Sequence, residues 1–138
     1  MRLRPALLVL LALAAPASAQ PAKDGKAAQT PEATVEKPAP YDERLERLSE
    51  ILGAVHYLRN LCAGGEENDW RVSMQKLLDL ETAGEPARQE RLTASFNRGY
   101  RSFAAIYTAC TESAVVAEDR YRNEGATLAL EITTRFGN

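Results

Sequence analysis

From Tyr41 to Phe136 apolar residues recur at intervals of three and four, and strand-like alternation appears nowhere. A chain with that rhythm buries its apolar stripe by packing helix against helix. Tyr41, Leu45, Leu48, Leu52, Val55, Leu58 and Cys62 define a first helix, with Asp42 as the expected N-cap and Ala63-Gly64-Gly65 as the end. Asn68 or Asp69 can cap a second, in which Trp70, Met74, Leu77, Leu78 and Glu81 share a side and which Gly84 closes. Pro86 suits the first turn of a third, whose stripe holds Leu92, Phe96, Gly99, Phe103, Tyr107 and Cys110. The same rhythm continues through Ala114, Ala117, Tyr121, Gly125, Leu128, Ile132 and Phe136. One helix over both stretches would run roughly 75 Å and leave much of its stripe uncovered. A break near Cys110-Thr111 is therefore expected, with Thr111 or Ser113 capping a fourth helix. The fold class is all-α, a small bundle of three to four helices.

The residues before Tyr41 have a different character. Arg2 and Arg4 precede an apolar run from Ala6 to Ala15, and Ala17-Ser18-Ala19 has the small-x-small pattern of a cleavage site. That run is too short for a bilayer, which takes roughly 20 residues. Residues 1–19 read as a signal peptide cut after Ala19, giving an exported, periplasmic protein with no membrane span. Residues 20–40 carry Pro21, Pro31, Pro38 and Pro40 with Val35 as the one branched aliphatic, and are expected to be a disordered linker. The helical domain is 41–138. Loss of Arg2 and Arg4 takes the formal charge from −2 to −4, which gives no reason to expect nucleic acid as a partner.

Cys62 and Cys110 are the only cysteines, and an oxidising compartment favours their pairing. In the chain-entropy model a closed loop of roughly 50 residues stabilises by about 4 kcal/mol. A metal site is the weaker reading, because two thiolates need further ligands and His56 is the only histidine. No cofactor is expected.

Several local motifs stand out together: Arg47-Leu48-Ser49-Glu50-Ile51-Leu52-Gly53, Tyr57-Leu58-Arg59 with Cys62, Trp70-Arg71, Phe96-Asn97-Arg98-Gly99-Tyr100-Arg101-Ser102-Phe103 with Cys110-Thr111, and Arg135-Phe136-Gly137-Asn138. In these the chain resembles an uncharacterised family of small exported alphaproteobacterial proteins with two well-separated cysteines. The resemblance spans essentially Tyr41 to Asn138. It implies export and a disulfide, and carries no activity or catalytic residue.

Among candidate binding residues, Arg91, Arg98 and Arg101 fall on the far side of the third helix from its apolar stripe. Such a strip could hold an anionic envelope component or an acidic partner, or could simply pair with acids on its own and neighbouring helices. Gly99, on the apolar side, would let another helix approach closely. Arg59, a further candidate binding residue, falls inside the apolar arc of the first helix beside Leu45, Leu48 and Leu52, so it either pairs structurally with Glu81, Glu131 or a group of carbonyls or faces a ligand in a cleft between helices. His56 lies at the rim of that arc and Trp70 reads as an inter-helix plug. Glu66-Glu67-Asn68-Asp69 lacks the alternating ligands of a calcium loop and suits a helix start.

No nucleophile motif surrounds His56, so no catalytic residue is assigned. The composition and motifs favour a non-enzymatic binding module for an envelope protein or anionic envelope glycan. The alternatives are a small peptidoglycan-directed hydrolase using paired carboxylates, or an assembly factor dimerising through the stripe of the last two helices. Oligomeric state is left open by the sequence.

Overall fold

The computed structural model describes residues 37–64 and 67–137. The expected leader, the linker up to residue 36, and Gly65, Glu66 and Asn138 lie outside the described residues. Four helices follow one another: α1 (Asp42–Ala63), α2 (Asp69–Glu81), α3 (Pro86–Ala104) and α4 (Glu112–Phe136). No strand occurs among the described residues.

The helix ends follow from local chemistry, with two departures from expectation. Tyr41 occupies the N-cap position and Asp42 is the first residue of α1. The Asp42 carboxylate instead accepts the Ala39 N–H at 3.0 Å, so the last residues of the expected linker are tied to the helix start. At the other end Gly64 takes the left-handed conformation at φ 67°, which suits a residue without Cβ. The second departure is the break. α3 stops at Ala104, six residues before Cys110, and the chain turns through Ile106 and Tyr107, whose N–H groups both donate to the Phe103 carbonyl. Thr111 does cap α4, accepting the Ala114 N–H at 3.2 Å. Between α2 and α3, Glu85 N–H donates to Thr82 O and Gly84 sits in that turn at φ 79°.

α1 is the axis of the bundle. Leu45, Leu52, Met74, Leu78, Leu92 and Phe96 form the buried core, with Tyr41, Trp70, Leu77 and Ile132 packed on it. Ile51, Val55 and Leu58 of α1 are at most 1 % exposed, which marks it as the most enclosed element. α3 runs parallel to α1: Arg88 meets Asp42 near one end, and Cys62 meets Cys110 at the other. α4 runs antiparallel, with Arg44 beside Glu131 and Arg47 beside Glu124.

The α1–α3 crossing is backbone on backbone. A Cβ placed on Gly53 would overlap the Phe96 carbonyl oxygen and lie 2.8 Å from its carbon. One on Gly99 would overlap the Glu50 carbonyl oxygen in the same way. Ser49 and Ser95, one turn earlier on each helix, are also fully buried. Each helix thus presents a small-xxx-small ridge, and the two ridges interdigitate. Gly125 lets α4 approach Ile51 of α1 on the opposite side. The Gly125 side of α4 lies on α1, while Tyr121, Leu128 and Ile132 of the same stripe stay half-buried.

Cys62 and Cys110 form a disulfide with Cα atoms 4.9 Å apart. It joins the last turn of α1 to the α3–α4 connector, which Tyr57 also holds by donating its hydroxyl to the Tyr107 carbonyl. A Cys62→Ser, Cys110→Ser double variant is expected to lose about 3 kcal/mol in urea unfolding under non-reducing conditions. A loss below about 0.5 kcal/mol would show that the connector holds without the bridge. At the far end the chain enters and leaves the bundle side by side, with the Tyr41 and Phe136 rings 5.2 Å apart.

Candidate functional site

α2 and α4 each pack on α1, yet their backbones do not meet. Between them lies an open groove with a cavity of about 330 Å³. Leu48, Ile51 and Leu52 of α1 form its floor, Trp70, Ser73 and Leu77 of α2 one wall, and Arg122, Gly125, Ala126 and Ala129 of α4 the other. The reason it stays open is in the sequence: α4 places glycine and two alanines where a closed bundle would need large side chains. Arg122 adds little free charge, since Glu118 at 3.2 Å and Asp119 at 2.5 Å already neutralise it. Leu80 is one turn beyond Leu77 on α2 and 81 % exposed, which extends the apolar surface past the groove.

The arginine strip has a different setting from the one a lone helix suggests. Arg91 and Arg98 are exposed, but α1 lays a row of acids alongside them. Arg91 lies 3.8 Å from Asp42 and 3.6 Å from Glu46, and Arg98 lies 3.4 Å from Glu50. Arg101 has no carboxylate within 4.0 Å among the described residues. The three are therefore not an uncompensated strip.

Arg59 departs from its expected place. Its side chain is 42 % exposed, and its partner is Glu67 in the α1–α2 connector, through two hydrogen bonds of 2.7 and 2.8 Å. The heptad from Leu45 and Leu52 does carry Arg59 onto the same face. That far along α1, however, the connector covers the helix, and the long stem turns its charge outward. The pairing raises the Arg59 pKa and holds the Glu67 carboxyl below its ordinary range. Glu131, proposed for Arg59, pairs with Arg44, and Glu81 serves Arg88.

Arg88 was missed by the sequence reading, though it sits four residues before Leu92 on the buried stripe. Its side chain is 7 % exposed and reaches Asp42 at 2.7 Å, Glu85 at 3.0 Å and the Glu81 carbonyl, beneath the Tyr41 ring. Burial opposes its charge, but the Glu85 and Asp42 carboxylates outweigh that and raise its pKa. This cluster fastens the starts of α1 and α3, and all of its members are engaged.

His56 is buried, with its ring 5.9 Å from Phe96 and 6.0 Å from Tyr100. Burial and then the Arg71 guanidinium push its pKa below 6.5, against a hydrogen bond to the Glu67 backbone. Beside it Asn60 holds the connector, with Oδ1 accepting the Glu67 N–H at 2.5 Å. Glu67 and Asp69 of the acidic run are thus a connector anchor and a first-turn residue, while Glu66 lies outside the described residues. No cluster of three metal-ligating side chains occurs among the described residues.

Of the tyrosines, Tyr100 is the exposed one at 39 %. Tyr57 packs edge-on against it, while Tyr107 and Tyr121 join Phe103 in a second aromatic group. No described helix is long and apolar enough to cross a membrane.

A family model described as "Protein of unknown function (DUF2385)" matches residues 40–136. No curated protein matches the chain, and no solved structure does.

Proposed function

The chain belongs to this family of proteins of unknown function, and we propose that it is a non-enzymatic binding module of the cell envelope, exported to the periplasm, that takes an apolar helical segment of a partner protein into the α2–α4 groove. The groove carries this reading. Its floor and walls come from three helices, so its ridges repeat at three- and four-residue spacing, the relief into which another helix packs. The small residues Gly125, Ala126 and Ala129 allow close approach, and Trp70 offers an aromatic anchor. The arginine strip supports an anionic glycan less well, because Arg91 and Arg98 would have to exchange existing acids for new ones. The leader-like residues 1–19 and the disulfide agree with an oxidising location.

A photo-crosslinking amino acid at Ala126, compared with one at Arg101, tests the reading in living cells. Position 126 is expected to yield a discrete adduct that Ala129→Glu abolishes, because a carboxylate in the groove opposes apolar docking. Adducts from position 101 alone would move the site to the arginine strip.

A further inference from the structure

The chain has one histidine and one tryptophan, and the fold puts them at the two sides of the same connector. We propose that His56 and Asn60 form a proton-sensitive latch that sets the position of Trp70, and thereby the shape of the groove. Its regulatory meaning rests on the groove being the binding site, while the latch itself does not.

The argument is one of donors and acceptors. Asn60 Nδ2 lies 3.1 Å from His56 Nδ1, and also faces the carbonyls of His56 at 2.9 Å and Glu67 at 3.2 Å. With an amide N–H directed at it, Nδ1 of the neutral ring is the acceptor and Nε2 holds the proton. The other end of the same amide accepts the Glu67 N–H. Asn60 therefore has one orientation that satisfies both neighbours. A proton taken from solvent onto Nδ1 turns an acceptor into a donor, which then faces the Nδ2 donor.

Turning the Asn60 amide over lets Oδ1 accept from the imidazolium but sets it against the His56 and Glu67 carbonyls, so with Nδ1 protonated neither orientation of the amide satisfies all of its neighbours. The same turn points Nδ2 at the Glu67 N–H, and the connector loses its backbone anchor. Among the described residues no free carboxylate sits ready to absorb the new charge, and the Glu67 backbone is the one neighbour that favours it. The groups around His56 are Asn60 on α1, Glu67 in the connector, Arg71 on α2, and Phe96 and Tyr100 on α3. Arg71 opposes a second positive charge, and the Glu67 carboxylate is held by Arg59. Trp70 is three residues after Glu67, in the first turn of α2, so motion of the connector is transmitted to the groove wall.

The test uses the oxidised full chain with no partner present, so its outcome is separate from that of crosslinking at Ala126. Trp70 emission and circular dichroism are followed from about pH 7.5 to 5, the range in which histidine is the one side chain expected to titrate. The expected result is a one-proton change in Trp70 emission below about pH 6.5 with helicity unchanged. His56→Gln should flatten it. In Asn60→Ala, NMR should still show His56 titrating while Trp70 emission no longer follows. If His56→Gln does not fold, the wild type and Asn60→Ala carry the comparison. The latch is overturned if wild-type emission stays flat while His56 titrates, or if the change persists unaltered in Asn60→Ala.

Discussion

A Gly99→Ala variant is expected to lose about 4 kcal/mol of stability, at the upper end of what one added methyl group does to a packed interior. The methyl carbon would meet the Glu50 carbonyl and lie 3.1 Å from the Ala54 nitrogen, and both are backbone atoms of the most enclosed helix. Flexible side chains can swing aside, but here α1 and α3 would have to separate along their length. Their disulfide at one end and the Arg88 cluster at the other resist that separation. Gly53→Ala should behave alike, since it meets the Phe96 carbonyl from the other side. Gly64→Ala is the control: its added Cβ meets nothing within 4 Å, so only the left-handed backbone opposes it, at about 1 kcal/mol. Urea unfolding of the three variants would refute the close-crossing account if Gly99→Ala proved no worse than Gly64→Ala.

Arg88→Met should be comparably severe, at about 4 kcal/mol, because removal of one partner leaves a buried charge with only the longer Arg91 contact and the Ala39 N–H to compensate it. Asp42 is the group left behind, with its side chain 11 % exposed. The Glu81 carbonyl would lose its guanidinium donor as well. For a domain of about 100 residues the melting temperature should fall by more than about 15 °C. Adding Asp42→Asn to Arg88→Met should recover part of the loss, because the poorly compensated charge is then removed too. A double variant no more stable than the single one would mean that Arg88 acts through packing rather than charge.

The periodicity of apolar residues placed the helical stretches, the uncovered length of a single rod argued for dividing the last of them, and the pairing of Cys62 with Cys110 followed from their being the only two cysteines and from the expected export. The end of α3 was harder, and the reason is physical. Ile106 and Tyr107 turn with hydrogen bonds to Phe103 that nearly keep helical spacing, so Tyr107 and Cys110 still fall in rhythm after the helix has ended. Arg59 and Arg88 both lie on apolar faces in a wheel diagram, but what covers a face depends on the neighbouring element. A connector leaves Arg59 half exposed, whereas α1 encloses Arg88. The acids opposite Arg91 and Arg98 belong to the register between α1 and α3, which neither helix encodes alone. The groove had a legible signal in Gly125, Ala126 and Ala129, three small residues on a helix otherwise able to fill a core. Their meaning depended on α2 lying across from them.

The adjacency of Tyr41 and Phe136 has a mechanical consequence. Tension applied through chain on either side of the domain would be borne at one end of the bundle. It would peel the antiparallel α1 and α4 apart pair by pair, beginning with the Tyr41–Phe136 rings and the Arg44–Glu131 ion pair, rather than shear whole helices past one another. The disulfide, at the opposite end of α1, would carry no load until that peeling had run its length. As a tethered element the domain would yield at low force while its covalently closed end stayed intact.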